Sequence, residues 1–256
     1  MPGFEPLAGG FLPRCWTDGQ QVLKVWADGL PASLAVLGDL DLPVVVPEAT
    51  AVIAGWGVAV FPFVRGRQAT GADAPALARN MRLMHDHPLV DLPRQPIDES
   101  WCLANMRDRL EHPWIRDRRA EVEAQLDRLE GAIEQARATP RPDVICHTDF
   151  GGHNALMDDA TGEVVAILDW DHARLAPREH DLWAAFEEAE PRAYLDAYGC
   201  DADLDGSHLE YALLARALRD ATARVATESD REGIDTWGFN RWRRLDRNLD
   251  LVRLQR

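Results

Sequence analysis

Two neighbouring stretches concentrate the side chains able to do chemistry: "HTDFGGHNALM" at residues 147–157 and "VVAILDWD" at residues 164–171. A loop carrying Asp149 and Asn154, followed by a hairpin whose second strand ends at Asp169, brings three oxygen-bearing side chains to the same strand ends. Hard cations such as magnesium take oxygen ligands and usually share their coordination with substrate phosphates, so an amide and a carboxylate suffice to hold one. Asn154 and Asp169 suit that role, which leaves the Asp149 carboxylate to accept a proton from an attacking hydroxyl. Transfer of a phosphoryl group needs mostly positioning and charge neutralisation. What the group still lacks is a cation for the phosphates.

The basic residues supply a candidate. Among 28 of them a single one is lysine, Lys24 in "QQVLKVW", so the chain uses arginine almost everywhere a positive surface charge would do. An ammonium is a compact point charge and a guanidinium a planar fork, and the two are not interchangeable. Lys24 sits on a predicted strand: "GFLPRCW" and "QQVLKVW" flank the turn "TDG" and read as an antiparallel hairpin. "LPASLAVLGDLDLP" predicts a short helix ending near Gly38 and Pro43, and "VVVPEATAVIAGWGVAVFPFV" predicts two strands around "AGWG". Residues 1–64 therefore read as a small strand-rich lobe, with Phe61 and Phe63 of "VFPFV" at the connector, placed to enclose an adenine.

Beyond residue 64 the pattern turns helical. "ALARNMRLMHDH" has helical periodicity, and "WIRDRRAEVEAQLDRLEGAIEQARA" reads as a long charged helix with Ile115, Val122, Leu126, Leu129 and Ile133 on its apolar face. Short apolar strands "VIC", "NALMD" and "VVAILDW" interrupt the helices, which resume through "EHDLWAAFEEA", "PRAYLDAYG", "SHLEYALLARALRDATARVATES" and "WGFNRWRRLDRNLDLVRL". Residues 65–256 form the larger lobe in this reading, without internal repeats or low-complexity tracts.

The bulk properties exclude several classes. With 256 residues the chain suits one large domain or two lobes sharing a cleft. A formal charge of -15 repels phosphate backbones, so nucleic acid is not an expected partner. Cys15, Cys102, Cys146 and Cys200 form no CxxC pair, which argues against a zinc knuckle or a disulfide scaffold and for reduced thiols. No early stretch pairs a basic segment with an apolar one, and no apolar run approaches the ~20 residues of a membrane span. The expected location is the cytoplasm, with no membrane partner.

"HTDFGGHN" followed by "ILDWD" resembles the catalytic loop and metal-binding strand of the aminoglycoside phosphotransferase and choline kinase superfamily, relatives of the protein kinases. The resemblance extends from the Lys24 strand through "LARNMRLMHDH" to "LAPREHDLW", and residues 147–183 are its most specific part. It implies an α+β, two-lobed protein-kinase-like fold, with a small antiparallel β N-lobe and a larger helical C-lobe carrying a catalytic-loop hairpin. By the same resemblance Asp149 matches the catalytic aspartate, Asn154 and Asp169 the ligands of Mg2+, and Lys24 the lysine that binds the phosphates of ATP or GTP. His147 matches a histidine that holds the loop, and Asp181 an aspartate with a structural role at the following helix start. Gly9 and Gly10 in "AGGFLPR" form a loose version of the nucleotide-covering loop. "DWDHARLAPREHDLW" and "YALLARALRDATARV" are similar to the branch that includes spectinomycin phosphotransferases. The chain departs from the family in two respects, that loose loop and the absence from "LPASLAVLGDL" of a glutamate to pair with the lysine; Asp39 and Glu48 are the nearby acids that could substitute, unless the lysine is held some other way.

Other chemistries fit less well. His147, His153 and His172 have the atoms for zinc but no ligand spacing. There is no GxSxG elbow, and Lys24 lacks the glycines of a Walker loop. Trp183 and Trp242 read as core or lobe-interface packing. For the acceptor, Asp171, Glu187 and Glu188 are candidate contacts within an acidic stretch that also holds Glu190, Asp196, Asp201, Asp203 and Asp205. Such carboxylates would steer a cationic amino sugar, or they form a solvated helix face, and Asp171 also reads as a loop cap. The expected function is phosphorylation of an aminoglycoside or aminocyclitol by a monomer or homodimer. The rivals are a metabolic kinase for an amino alcohol or sugar, and a silent binding protein that kept the fold.

Overall fold

The computed structural model describes residues 3–7, 14–187, 191–199, 204–227, 232 and 234–253. They divide into two compact units, Met1–Arg94 with Val144–Leu175 and Gln95–Asp143 with Ala176–Arg256.

The first unit opens with an antiparallel sheet of β1 (Glu5–Pro6), β2 (Cys15–Thr17), β3 (Gln21–Trp26), β4 (Ala49–Ile53) and β5 (Trp56–Pro62), in the order β1-β2-β3-β5-β4. The expected hairpins form where the turn chemistry calls for them. Asp18 Oδ1 accepts the backbone N–H groups of Gln20 and Gln21 at 2.9 and 2.8 Å, closing β2 onto β3. Ala54 and Gly55 both take positive φ, 51° and 85°, as a two-residue turn matched to strand twist requires. In the register Lys24 faces Cys15 on one side and Ala59 on the other. Because side chains alternate, Val22, Lys24 and Trp26 share one face with Gly57, Ala59 and Phe61. At Gly57 the backbone of Gly29 crosses that face so closely that an added Cβ would lie 2.4 Å from the Gly29 carbonyl carbon.

The helix expected after β3 does not form as an α-helix. "LPASLAVLGDLDLP" instead makes two 3-10 turns, Ala32–Ala35 and Leu37–Asp39, with Val36 N–H bonded to Ser33 O at 3.1 Å and Leu40 N–H to Leu37 O at 3.3 Å. Pro31 fixes the entry, the β-branched Val36 joins the turns and Gly38 follows at once, so too few residues remain to offset the cost of nucleating an α-helix. The segment then runs beside the strand of Ile167 through a Val44–Ile167 bridge, with Ile167 N–H donated to Pro43 O at 2.6 Å.

A second sheet in this unit, order β6-β8-β9, comprises β6 (Arg67–Gln68), β8 (Ala155–Met157) and β9 (Val164–Ile167). Helix α1 (Ala74–Asp86) starts from a Thr70/Asp73 capping box and buries Leu77, Met81 and Met84. Strand β7 (Asp143–Cys146) leads into the polar loop, and β10 (Arg174–Pro177) leads out, its Leu175 N–H bonded to Pro93 O at 3.0 Å.

The second unit is helical: α2 (Ser100–Arg107), α3 (Arg119–Ala138), α4 (Pro191–Tyr198), α5 (Gly206–Thr227) and α6 (Asn240–Arg253). The expected apolar positions Ile115, Val122, Leu126, Leu129 and Ile133 are all buried, but the helix begins only at Arg119, and Ile115 precedes it as the cap of a 3-10 turn, Arg116–Arg118. Trp183 and Trp242 are buried as well, the Trp183 ring lying 4.3 Å from the Arg216 guanidinium carbon. Helix α2 has no counterpart in the sequence pattern, because only Cys102, Leu103 and Met106 face inward while Trp101 is exposed. Among the described residues no helix is long and apolar enough to cross a membrane.

Candidate active site

The loop between β7 and β8 is held by its histidine. His147 is fully buried, with Nε2 2.8 Å from the carbonyl oxygen of Leu168 and Nδ1 3.3 Å from the backbone nitrogen of Asp149. A carbonyl can only accept and a backbone N–H can only donate, so these partners assign the neutral tautomer with the proton on Nε2. Both ring nitrogens are thus spent on backbone, as expected of a residue that holds the loop, and His147 does not converge with His153 and His172 on a common metal point. The next residue, Thr148, takes φ 69°, which a β-branched side chain rarely adopts, and its hydroxyl donates to His172 O at 3.1 Å.

That backbone turn presents Asp149 and Asn154 together. The Asn154 amide nitrogen donates to the Asp149 backbone oxygen at 2.9 Å and to Asp149 Oδ2 at 3.2 Å. The other Asn154 oxygen-bearing end is thereby left as an acceptor. His153 Nε2 stands 3.4 Å from the same Asp149 oxygen. Asn154 closes a 3-10 turn, Gly152–Asn154, that passes against β6: a Cβ on Gly152 would sit 2.9 Å from Ala69 O. Leu168 N–H donates to Asn154 O at 2.8 Å, tying the loop to the strand that carries Asp169.

Asp169 stands two residues beyond β9 in the left-handed conformation, φ 61° and ψ 54°, and caps the 3-10 turn Trp170–His172. Of the three non-glycine residues with positive φ among the described residues, two are Thr148 and Asp169, a concentration of backbone strain at one site. Lys24 Nζ lies 2.6 Å from Asp169 Oδ1 and 2.9 Å from Asp171 Oδ2. Burial alone would lower the Lys24 pKa, but the charges of Asp169 and Asp171 beside it outweigh burial and raise it, so the ammonium is firmly cationic. Burial pushes the Cys15 thiol across the sheet upward, the nearby carboxylates add to that, and Lys24 only partly offsets them. The Trp26 indole donates to Asp171 Oδ2 at 2.5 Å, and its ring centroid is 5.2 Å from Lys24 Nζ.

The structure therefore brings Lys24, Asp149, Asn154, Asp169 and His147 into one unit, with Phe61 on the lysine face of the sheet and Phe63 just beyond it, its N–H bonded to Gln20 O at 2.7 Å. Asp171 points to Lys24 and Trp26. Trp26 was not singled out in the sequence, although its place two residues after Lys24 on a strand puts it on the same face. Neither proposed stand-in for the missing glutamate reaches Lys24: Glu48 accepts from Gln21 Nε2 at 2.7 Å, and Asp39 is exposed at the end of its 3-10 turn. Gly9, Gly10 and Glu188 lie outside the described residues, as do Glu190, Asp201 and Asp203, and Glu187 ends the 3-10 turn Leu182–Glu187. Asp181 is buried just before that turn. Two of the other acids are engaged locally: Asp196 pairs with Arg192 at 2.9 Å, and Asp205 Oδ1 caps α5 by accepting Ser207 N–H and His208 N–H at 2.9 and 3.1 Å.

The donor set around the loop, an amide oxygen and a carboxylate, is of the hard type that magnesium takes. The family pattern described as APH, phosphotransferase enzyme family, matches residues 31–214. No curated protein sequence matches the chain. Among solved structures, choline kinase LicA from Streptococcus pneumoniae is similar with a TM-score of 0.65 and 18% identity, over 96% of this chain and 93% of that one. The GDP complex of wild-type aminoglycoside 2'-phosphotransferase-IIIa reaches 0.63 with 14% identity, over 96% of this chain and 92% of that one. Aminoglycoside phosphotransferase APH(3'')-Id from Streptomyces rimosus, in complex with ADP and streptomycin, reaches 0.59 with 19% identity, over 84% and 92%. The fold is the α+β, protein-kinase-like one of these structures, an antiparallel sheet in the N-terminal region followed by a helical C-terminal part. Sequence pattern, fold and the spacing of the polar loop agree, and the chain belongs to the phosphotransferase enzyme family.

Proposed function

We propose that the protein transfers the γ-phosphoryl group of ATP or GTP, in the presence of Mg2+, to a hydroxyl of a small cationic acceptor of the aminoglycoside or aminocyclitol type. The observation that carries this reading is that two side-chain pairs, Asn154 with Asp149 at 3.2 Å and Lys24 with Asp169 at 2.6 Å, lie in one unit, their loop and turn tied by the Leu168 N–H to Asn154 O bond at 2.8 Å. Asp149 orients the acceptor hydroxyl and takes its proton as the new phosphorus–oxygen bond forms and ADP or GDP leaves. Lys24 neutralises phosphate charge, and Phe61 and Phe63 lie along the base. Asn154 and Asp169 would hold Mg2+, which supplies charge neutralisation at the phosphates when bound. In this reading residues 1–64 serve the nucleotide, and residues 65–256 supply the catalytic loop and the acceptor site, with Glu187 and Glu188 as acid candidates there, the Asp171 carboxylate being taken by Lys24 and Trp26. The work belongs in the cytoplasm, where the nucleotides are, for a monomer or a homodimer.

The nucleotides in the solved relatives, GDP in one and ADP with streptomycin in another, support the donor and acceptor classes. The likeness to a choline kinase over the same share of the chain favours a second acceptor class, small amino alcohols. Both acceptors present a hydroxyl near a fixed positive charge. The test is to incubate the protein with Mg2+, ATP or GTP and a panel of aminoglycosides, aminocyclitols including spectinomycin, and amino alcohols, reading acceptor mass with Asp149→Asn as control. One phosphorylated aminoglycoside or aminocyclitol, absent with the variant, is the expected result. A phosphorylated amino alcohol alone replaces the acceptor class, and no phosphorylation without nucleotide binding overturns the enzyme reading in favour of a silent binder.

A further inference from the structure

In protein kinases the strand lysine is kept in place by a glutamate on a helix of the small lobe, and movement of that helix controls activity. This chain has no such helix acid. Residues 27–48, which join β3 to β4, are all described and contain only 3-10 turns; their acids are Asp28, Asp39, Asp41 and Glu48. The carboxylates paired with Lys24 are Asp169 and Asp171 instead.

We propose that Asp171, locked by the Trp26 indole, is the residue that positions Lys24 for the nucleotide phosphates in place of the helix acid. The proposal rests on the phosphotransferase reading of Lys24. Of the two partners Asp169 is the more exposed, its side chain 46% accessible against 17% for Asp171. If Asp169 holds Mg2+, its carboxylate would be shared between the metal and the Lys24 ammonium. Asp171 has no such second duty: its Oδ2 takes both the Lys24 ammonium at 2.9 Å and the Trp26 N–H at 2.5 Å. Lys24 and Trp26 are two apart on β3 and so reach the same carboxylate from the same face.

The turn that carries Asp171 is itself anchored. Trp170 is buried, and its indole donates to Ile167 O at 3.0 Å. Asp169 and Asp171 lie at the start and in the middle of one 3-10 turn. Metal ligand and lysine anchor therefore move together, and Lys24 is set by the catalytic strand's own turn and not by an element able to swing away. Such a site is assembled without a separate activating step.

The test exploits the fact that Lys24 is the single lysine of the chain. With 13C-lysine labelling, the full-length protein gives one ε-methylene signal, whose two protons are distinct while the side chain is held and equivalent when it rotates freely. With Mg2+ added to draw Asp169 away from Lys24, Asp171→Asn is expected to collapse that splitting, and it is expected to weaken Mg2+·ATP or Mg2+·GTP binding about tenfold by calorimetry, the scale of a lost charged hydrogen bond. In a Lys24→Ala background, Asp171→Asn is expected to cost no further affinity. Trp26→Phe, a second variant that keeps both carboxylates, is expected to weaken binding in the same direction by less. Unchanged splitting and affinity in Asp171→Asn overturn the proposal, and so does an equal loss with Lys24 absent. If the unaltered protein binds no nucleotide, the phosphotransferase reading fails by itself, and the lysine signal still decides whether Asp171 holds Lys24.

Discussion

The Asn154 amide donates to Asp149 Oδ2 at 3.2 Å, and in the proposed reaction Asp149 is the group of this pair that takes the proton of the hydroxyl. Asp149→Asn keeps size and polarity but cannot take a proton; turnover is expected to fall by about 10²- to 10⁴-fold with nucleotide affinity retained, measured by steady-state rates beside calorimetry. A variant that binds and turns over like the parent removes Asp149 from the mechanism. His147 lies one step further from the chemistry. His147→Ala strips partners from the Leu168 carbonyl and the Asp149 N–H in a buried place, and is expected to cost about 1–3 kcal/mol for each buried group left unpaired, read by urea unfolding. Asp149, Asn154, Asp169 and Lys24 were legible in the sequence because loop spacing and a lone lysine mark them. The link from Trp26 and Lys24 to Asp171 was not, since Trp26 alone lies 145 residues from Asp171 and Lys24 farther still, and local pattern carries no sign of it.

Two substitutions test the elements that position the site. Gly57→Ala would drive a Cβ into the Gly29 backbone beside Trp26; a loss of about 1–3 kcal/mol and a lowered melting temperature are expected, and an unchanged one contradicts the close crossing. Asp205 caps α5. Burial would raise its pKa, but the hydrogen bonds from Ser207 and His208 hold it below the usual carboxylate range. A carboxylate with a depressed folded pKa stabilises above its unfolded pKa and loses that contribution as pH falls through the folded one. Asp205→Ala is therefore expected to cost about 1 kcal/mol at neutral pH, with the gap to the parent closing on acidification, as followed by denaturation at several pH values. The strands around "TDG" and "AGWG" and the long helix α3 were legible because turn residues and 3.6-residue periodicity are local signals. The 3-10 turns after β3 and the short α2 were not. In both, few side chains face inward, and packing with the rest of their own unit decides the backbone.

Across the whole chain the charge of -15 sets the approach of any cationic acceptor. Steering by such a field is expected to make kcat/KM fall as ionic strength rises and the Debye length shrinks from about 30 Å at 0.01 M to about 8 Å at 0.15 M. kcat, measured at saturation, should stay level; a salt-independent kcat/KM contradicts long-range steering. Whether the Asp149, Asn154, Asp169 and Lys24 group moves a phosphoryl group from nucleotide to acceptor is decided by phosphorus-31 NMR of the protein with Mg2+, nucleotide and the acceptor panel. Loss of the γ-phosphate signal is expected, with matching growth of a phosphomonoester and a nucleoside diphosphate, and none of this with Asp149→Asn. Nucleotide that remains intact, or that yields the same products with both proteins, would contradict it.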